Sequence, residues 1–350
     1  MSTNNFVYPG ENLAAILVAK KRIKLMTLND PVLTDYQVRV NIQESAICGT
    51  QLGEWNQTRG LDNYLPHCFG HEAVGYVLEV GRLVDGLQEG DRVVVTWMKT
   101  HAMTDSISNF MEIASGKTVN FGECCTFIRR GVFPVNRIIK IDDSLENSTA
   151  TLLGCAFLTA FAALKRATNG ITCIDREIAI VGSGGIGLAV ALLAKAFNIR
   201  ATCIDLPNVI NDLKNDNFEV EFLSTTESEL NRFQYFPIVI ICSGAVAAFE
   251  LGEQLLQRNG GSMFIVGNPP FGSKVEFDVK PLLYGREIIG VGEKDVHLPE
   301  DIIDLVDLIK SGRLDANKLI RKSYPLSNIN DAFKAASSGF GGRTVINIQY

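Results

Sequence analysis

The sequence predicts an α/β protein of two parts, one compact and β-rich, the other a doubly wound parallel sheet with helices on both faces. Three observations carry the prediction. Short apolar strands separated by glycines and polar turns fill the first part of the chain. Further on, a continuous apolar strand at 177–181 runs straight into Gly182-x-Gly184-x-x-Gly187 and a helix rich in Ala and Leu, after which a second strand ends in Asp205. The length of 350 residues is more than twice that of a typical domain, so two domains are the default.

Taken in order, residues 13–18 read as a strand, and so do 37–43, with Val38, Val40 and Ile42 on one face. That second strand delivers the chain to Cys48-Gly49-Thr50, where Gly49 lets the backbone bend so that a thiol and a hydroxyl face one cavity. Residues 55–66 read as a polar loop. Phe69-Gly70-His71-Glu72-Ala73-Val74-Gly75 then leads into an alternating strand that closes at Gly81, and 92–97 is another strand. Residues 99–120 form a long polar excursion without a cysteine, and 126–141 return to strand alternation. Residues 150–165, almost without polar positions, read as one buried helix carrying Cys155. Continuous apolar strands at 237–242 and 262–266 bracket a helix at 245–256, the signature of strands covered on both faces. After Gly292 a helix opens at Pro299-Glu300-Asp301, a last one covers 329–336, and Arg343-Thr344 begins a terminal strand.

Composition narrows the function. A net charge of −6 without a basic run argues against a nucleic-acid partner. The amino terminus lacks the pattern of a secretory signal. The longest apolar run, 178–194, carries four glycines and falls short of a membrane span, so a cytoplasmic protein with no membrane partner is expected. Eight cysteines are scattered without a C-x-x-C, which speaks for buried small hydrophobes rather than a disulfide framework. Cys124 and Cys125, adjacent on a strand, point to opposite faces and cannot meet one metal.

Two places carry chemistry. At the first, an imidazole and a carboxylate, His71 and Glu72, follow a glycine and are held at the rim of a sheet. Alone such a pair says little, but Cys48 upstream and Cys155 downstream are candidate partners for a metal site. At the second, Gly182 makes a tight turn, Gly184 lets a pyrophosphate approach the backbone, Gly187 lets helix and sheet pack, and Gly185 and Ile186 begin the helix whose free N–H groups receive phosphate. Asp205 lies 18 residues after Gly187, where a carboxylate accepts hydrogen bonds from a ribose diol and repels a 2′-phosphate. NAD is therefore expected over NADP.

Together Cys48-Gly49-Thr50, Gly70-His71-Glu72-x-x-Gly75-x5-Gly81, Gly154-Cys155-x-x-x-Thr159, Gly182-x-Gly184-x-x-Gly187 with Asp205, Gly285-Arg286 and Arg343-Thr344 resemble the medium-chain, zinc-dependent alcohol dehydrogenase family over nearly the whole chain. The resemblance implies a split GroES-like catalytic domain, residues 1–156 and 294–350, around a Rossmann NAD-binding domain, residues 157–293. It implies that Cys48, His71 and Cys155 ligate one catalytic zinc, leaving the fourth position open for an alcohol or carbonyl oxygen. Thr50 corresponds to the hydroxyl that takes the alcohol proton, Glu72 to a carboxylate beside the metal, Arg343 to a pyrophosphate contact, and Thr159 to the point where the helix meets the nicotinamide.

Two departures stand out. Relatives with a second, structural zinc carry a cysteine quartet where residues 99–120 have none, so one zinc per chain is expected. Many relatives also carry an acid directly after the hydroxyl residue and a histidine two positions later, where this chain has Gln51 and Gly53. The support of His71 and the proton's exit must differ accordingly, with the ribose and water as the expected route. Trp55, Arg59, Trp97, Lys99 and His101 come from segments expected to border the open zinc position, and favour a hydroxylated or anionic substrate such as a polyol, a sugar or a phosphorylated alcohol. The expected protein is an alcohol:NAD oxidoreductase, a homodimer or homotetramer for which the resemblance offers the strand at 262–266 as the pairing strand. The alternatives are a carbonyl reductase of the same family and a non-catalytic dinucleotide-binding protein.

Overall fold

The computed structural model describes residues 10–58, 60–103, 107–170, 177–214, 216, 218–226, 235–339 and 341–349. Arg59, Cys173 and residues 104–106 of the polar excursion lie outside these.

The β-rich part is built around Gln37–Ile47 and Ala73–Val80, paired antiparallel. Val38, Val40 and Ile42 are fully buried, as their alternation predicts. The sheet runs in the order Ile138–Lys140, Arg92–Val95, Ala73–Val80, Gln37–Ile47, Arg343–Asn347, Ile320–Pro325, and Arg130–Pro134 also pairs with Gln37–Ile47. Its last two strands come from the end of the chain. Thr344 lies opposite Ile47 and Asn347 opposite Glu44, so a carboxy-terminal strand closes a sheet begun far upstream. A smaller sheet holds Arg22–Leu28, Asn12–Ala19 and His67–Cys68.

The other part is a six-stranded parallel sheet in the order Glu221–Ser224, Ala201–Asp205, Ile178–Val181, Ile238–Ile241, Ser262–Ile265, Glu287–Gly290. Every residue of Ile178–Val181 and Ile238–Ile241 is buried, which explains why these strands do not alternate. The chain builds outward from Ile178–Val181 on one side, then crosses to the other. That crossing opens a crevice at the carboxyl ends of the two central strands, beyond Gly182 and Cys242.

Three expectations need correction. The single helix over 150–165 is a helix at Asn147–Thr151, a 3₁₀ turn at Leu152–Gly154 and a second helix at Ala156–Ala167, the pair bent by 51°. Cys155 sits at the break with φ −145° and ψ −61°. Long-range bonds hold it there: Thr96 Oγ1 donates to the Gly154 carbonyl at 2.7 Å, and the Ala156 N–H donates to Glu72 Oε2 at 3.1 Å. Local helix propensity yields to these contacts. The strand at 262–266 has neighbours on both sides, so the edge on this side of the sheet is Glu287–Gly290. Trp55 lies in the helix Gly49–Asn56 rather than in a polar loop, and its ring packs 5.7 Å from that of Phe333 in the β-rich core.

Arg286, part of the resemblance, serves the fold. It pairs with Glu253 and donates to the Gln257 and Leu256 carbonyls that end the helix Val246–Leu255. Among the described residues no single helix is long and apolar enough to cross a membrane.

Candidate active site

Four segments converge where the two sheets meet. The strand Gln37–Ile47 ends at Cys48, which is the N-cap of the helix Gly49–Asn56. His71 and Glu72 immediately precede Ala73–Val80. Cys155 comes from the helix break, and Arg343 opens the last strand. Gly154 is required at its position, because a Cβ there would lie 2.4 Å from the Val95 carbonyl oxygen and 3.1 Å from Glu72 Cα.

The candidate ligand atoms of Cys48, His71 and Cys155 lie within 4.8 Å of one another, and the two sulfurs are 4.0 Å apart. Two Zn–S bonds of about 2.3 Å at a tetrahedral angle span about 3.8 Å, so the sulfurs already stand near the separation a zinc ion imposes. His71 Nε2 is buried without a hydrogen-bond partner, as a ligand nitrogen facing an ion would be. Two sulfurs and an imidazole suit zinc, and the residues fit that group.

The buried groups of this site also shift one another's titration. Facing the Cys155 thiol, and with the Arg343 guanidinium and His71 nearby, Cys48 is held well below the usual thiol range, while Cys155 is pushed up by its Cys48 neighbour and by burial. Burial disfavours a charged His71, yet the neighbouring Cys48 sulfur outweighs it and raises the imidazole. Glu72 is fully buried. Desolvation drives its carboxyl up to about 7 against the opposing pull of Arg343, whose Nε stands 3.4 Å from Glu72 Oε1. Burial works against the charge on Arg343, but both cysteines and Glu72 keep the guanidinium protonated.

A cleft of about 560 Å³ opens over this group. Cys48, Thr50, His71, Trp97, Cys155, Thr159 and Arg343 line it together with Gly184, Gly185 and Ile186. The Thr159 hydroxyl is buried there and has no partner. Gly184, Gly185 and Arg343 also line a smaller cavity of about 300 Å³ with Gly182 and Asp205. The two spaces thus meet at the glycine loop. Gly184 is the N-cap of the helix Gly185–Ala196, and Gly184 and Gly342 form a β-bridge that fastens the end of the chain to the loop. Gly182 has φ +99°, the left-handed conformation this tight turn needs. Gly187 lies beneath the loop rather than in either cavity. Asp205 Oδ2 accepts from the Ser183 N–H at 2.5 Å and Oδ1 from the Leu206 N–H at 2.7 Å, so its carboxylate is fixed at the far end.

Of the residues expected to border the open metal position, only Trp97 lines the cleft among those described. Lys99 pairs with Glu123 at 3.0 Å, and His101 is exposed. Sequence reasoning missed the wall made by Cys242, Gly244, Val266, Gly267 and Asn268. Their signal was positional, since they follow the carboxyl ends of central strands, where ligands of such sheets bind. Gln51, noted only as a departure, proves to touch His71: its amide nitrogen is 2.9 Å from Nδ1.

The comparisons agree with this geometry. Residues 34–143 match the family model of the alcohol dehydrogenase GroES-like domain. An L-threonine 3-dehydrogenase of Photorhabdus laumondii is 24% identical over 345 residues, covering 95% of this chain and 98% of the relative. A benzyl alcohol dehydrogenase of Acinetobacter calcoaceticus superposes with a TM-score of 0.83 at 21% identity, covering 97% of this chain and 99% of that one. An alcohol dehydrogenase zinc-binding domain protein of Burkholderia ambifaria superposes with a TM-score of 0.85 at 23% identity and the same coverage. Residues 34–143 are thus an alcohol dehydrogenase GroES-like domain, and over nearly its whole length the chain is similar to alcohol dehydrogenase-type oxidoreductases and shares their fold.

Proposed function

We propose that the protein is an NAD-dependent dehydrogenase of a small polar alcohol, with one zinc ion per chain held by Cys48, His71 and Cys155. The supporting observation is a pair of adjoining cavities with a sulfur-sulfur-nitrogen donor set at one end and a glycine loop with an oriented carboxylate at the other. The GroES-like domain of residues 1–156 and 294–350 would supply the first end, and the Rossmann domain of 157–293 the second.

When bound, zinc supplies the Lewis acidity that brings a water pKa from 15.7 to about 7, and NAD supplies the hydride acceptor. The remaining work falls to the chain. The Thr50 hydroxyl, two residues from Cys48 and in the same cleft, takes the alcohol proton and hands it toward ribose and water. The unpartnered Thr159 hydroxyl offers the nicotinamide end a hydrogen bond. Arg343 keeps a positive charge against the glycine loop for the diphosphate, and Asp205 accepts from the ribose diol.

The substrate class is a hydroxylated small molecule: a polyol, a sugar or a β-hydroxy amino acid. The similarity to L-threonine 3-dehydrogenases over 95% of the chain supports the last of these. The same reading carries a homodimer or homotetramer, for which Glu287–Gly290, the sheet edge next to 262–266, is the candidate seam; a monomeric mass in solution would remove it. The central experiment measures zinc in the purified chain and NADH formation over hydroxy amino acids, polyols, sugars and simple alcohols. One zinc per chain and turnover with a polar alcohol are expected. A metal-free chain that reduces no NAD with any of them refutes the proposal.

A further inference from the structure

The side chain of Gln51 is 2% exposed and wedged between two of the residues assigned to zinc. The Cys48 backbone N–H donates to Gln51 Oε1 at 3.1 Å. A backbone N–H can only donate, so this contact fixes which end of the amide is oxygen. The Gln51 nitrogen, which also can only donate, is therefore the atom 2.9 Å from His71 Nδ1. Nδ1 must accept, and in a neutral imidazole the proton then sits on Nε2. Yet Nε2 is the nitrogen left for the metal, and a ligating nitrogen carries no proton.

We propose that Gln51 is a positioning residue that lowers the zinc affinity of this site. Without metal it holds His71 in the Nε2–H form. To admit zinc the amide turns over, so that its oxygen accepts from Nδ1–H, and the Cys48 N–H loses its acceptor. A carboxylate at this position meets neither difficulty, because both of its oxygens accept. The inference rests on the metal reading of Cys48, His71 and Cys155, and adds that this chain releases its zinc more readily than a carboxylate-bearing variant.

The test is Gln51→Glu, which keeps the length of the side chain. Position 51 is the third residue of its helix, where Glu makes the same capping contact and suits the helix dipole, so the variant is expected to fold. Zinc dissociation constants are measured on the full chain by competition with a chelator. The expected result is zinc bound about 10–100-fold more tightly by Gln51→Glu, the usual reach of a contact behind a ligand. Ring ¹⁵N spectra of the metal-free proteins separate geometry from added charge, and the chain has only four histidines to assign. Wild type is expected to show His71 protonated at Nε2, and the variant at Nδ1. Equal zinc constants, or an Nδ1–H tautomer in the wild type, overturn the inference while leaving the metal reading standing. A chain that takes up zinc in neither form overturns both.

Discussion

Folding and coenzyme binding can be separated at two glycines of one loop. A Cβ built on Gly187 lies 1.8 Å from the Gly182 carbonyl oxygen, a distance no atom pair tolerates, and the obstacle is backbone that cannot rotate away. A Cβ built on Gly184 meets nothing within 4 Å, and its backbone, φ −74° and ψ −164°, accepts any side chain. Gly184 is open because it faces the junction of the two cavities, where the diphosphate of NAD is proposed to lie. Gly184→Val should therefore cost only about 1 kcal/mol of stability, the price of a poor N-cap. It should also shield the first N–H groups of the helix. Losing two charge-assisted hydrogen bonds of about 1.5–3 kcal/mol each weakens NADH binding by about 3–6 kcal/mol, on the order of 10²–10⁴-fold. Gly187→Ala should instead lower stability by several kcal/mol, the upper range of overpacking, and lose binding as a consequence. Fluorescence titration with NADH alongside a urea melt reads both quantities. Wild-type NADH affinity in Gly184→Val would refute the placement of the diphosphate.

Three further outcomes follow from single side chains. Asp205→Ala should narrow the preference for NAD over NADP in paired titrations; an unaltered ratio would mean that the carboxylate does not meet the ribose. Thr50→Ala should lower turnover by roughly 10²–10⁴-fold with zinc content unchanged, and undiminished turnover would take Thr50 out of the proton path. Glu44, half-buried and close to Glu146, has its carboxyl raised by desolvation first and by Glu146 second, from 4.5 to about 7. The folded state then binds this proton more tightly than the unfolded chain. Stability from this group is complete below about pH 4.5, falls as the pH rises toward 7, and is level above. Glu44→Gln should stabilise the protein by roughly 1–3 kcal/mol near pH 8 and by much less near pH 5, and equal effects in urea melts at both would refute the shift.

What the sequence disclosed depended on how local its cause was. The alternation of Val38, Val40 and Ile42 and the unbroken Ile178–Val181 each follow from which faces of one strand are covered, so pattern alone finds them. The glycine loop is equally local. The break at Cys155 is not, because it is imposed by Thr96 and Glu72, 58 and 84 residues away from the backbone groups they bind. Residues 150–165 read honestly as helix, and only the tertiary bonds turn the thiol out of it. Strand order fails for the same reason. Glu287–Gly290 is four residues long and only partly buried, too short to announce that it, rather than 262–266, takes the edge. Trp55 misled because its neighbours in sequence are polar, while its helix presents it to Phe333.

The site follows the same division. Cys48, His71 and Cys155 were legible as residue types in distinctive settings, and the fold brings their donor atoms within 4.8 Å. What the sequence could state about Gln51 was only that an acid was missing. Its consequence depends on directionality, which a residue letter does not carry. An amide has one accepting and one donating end, and the Cys48 N–H occupies the accepting one. The departure thus changes which His71 nitrogen bears the proton without moving any ligand atom. Two chains with the same three ligands can hold zinc with different strength, and the difference lies in a side chain that never touches the metal.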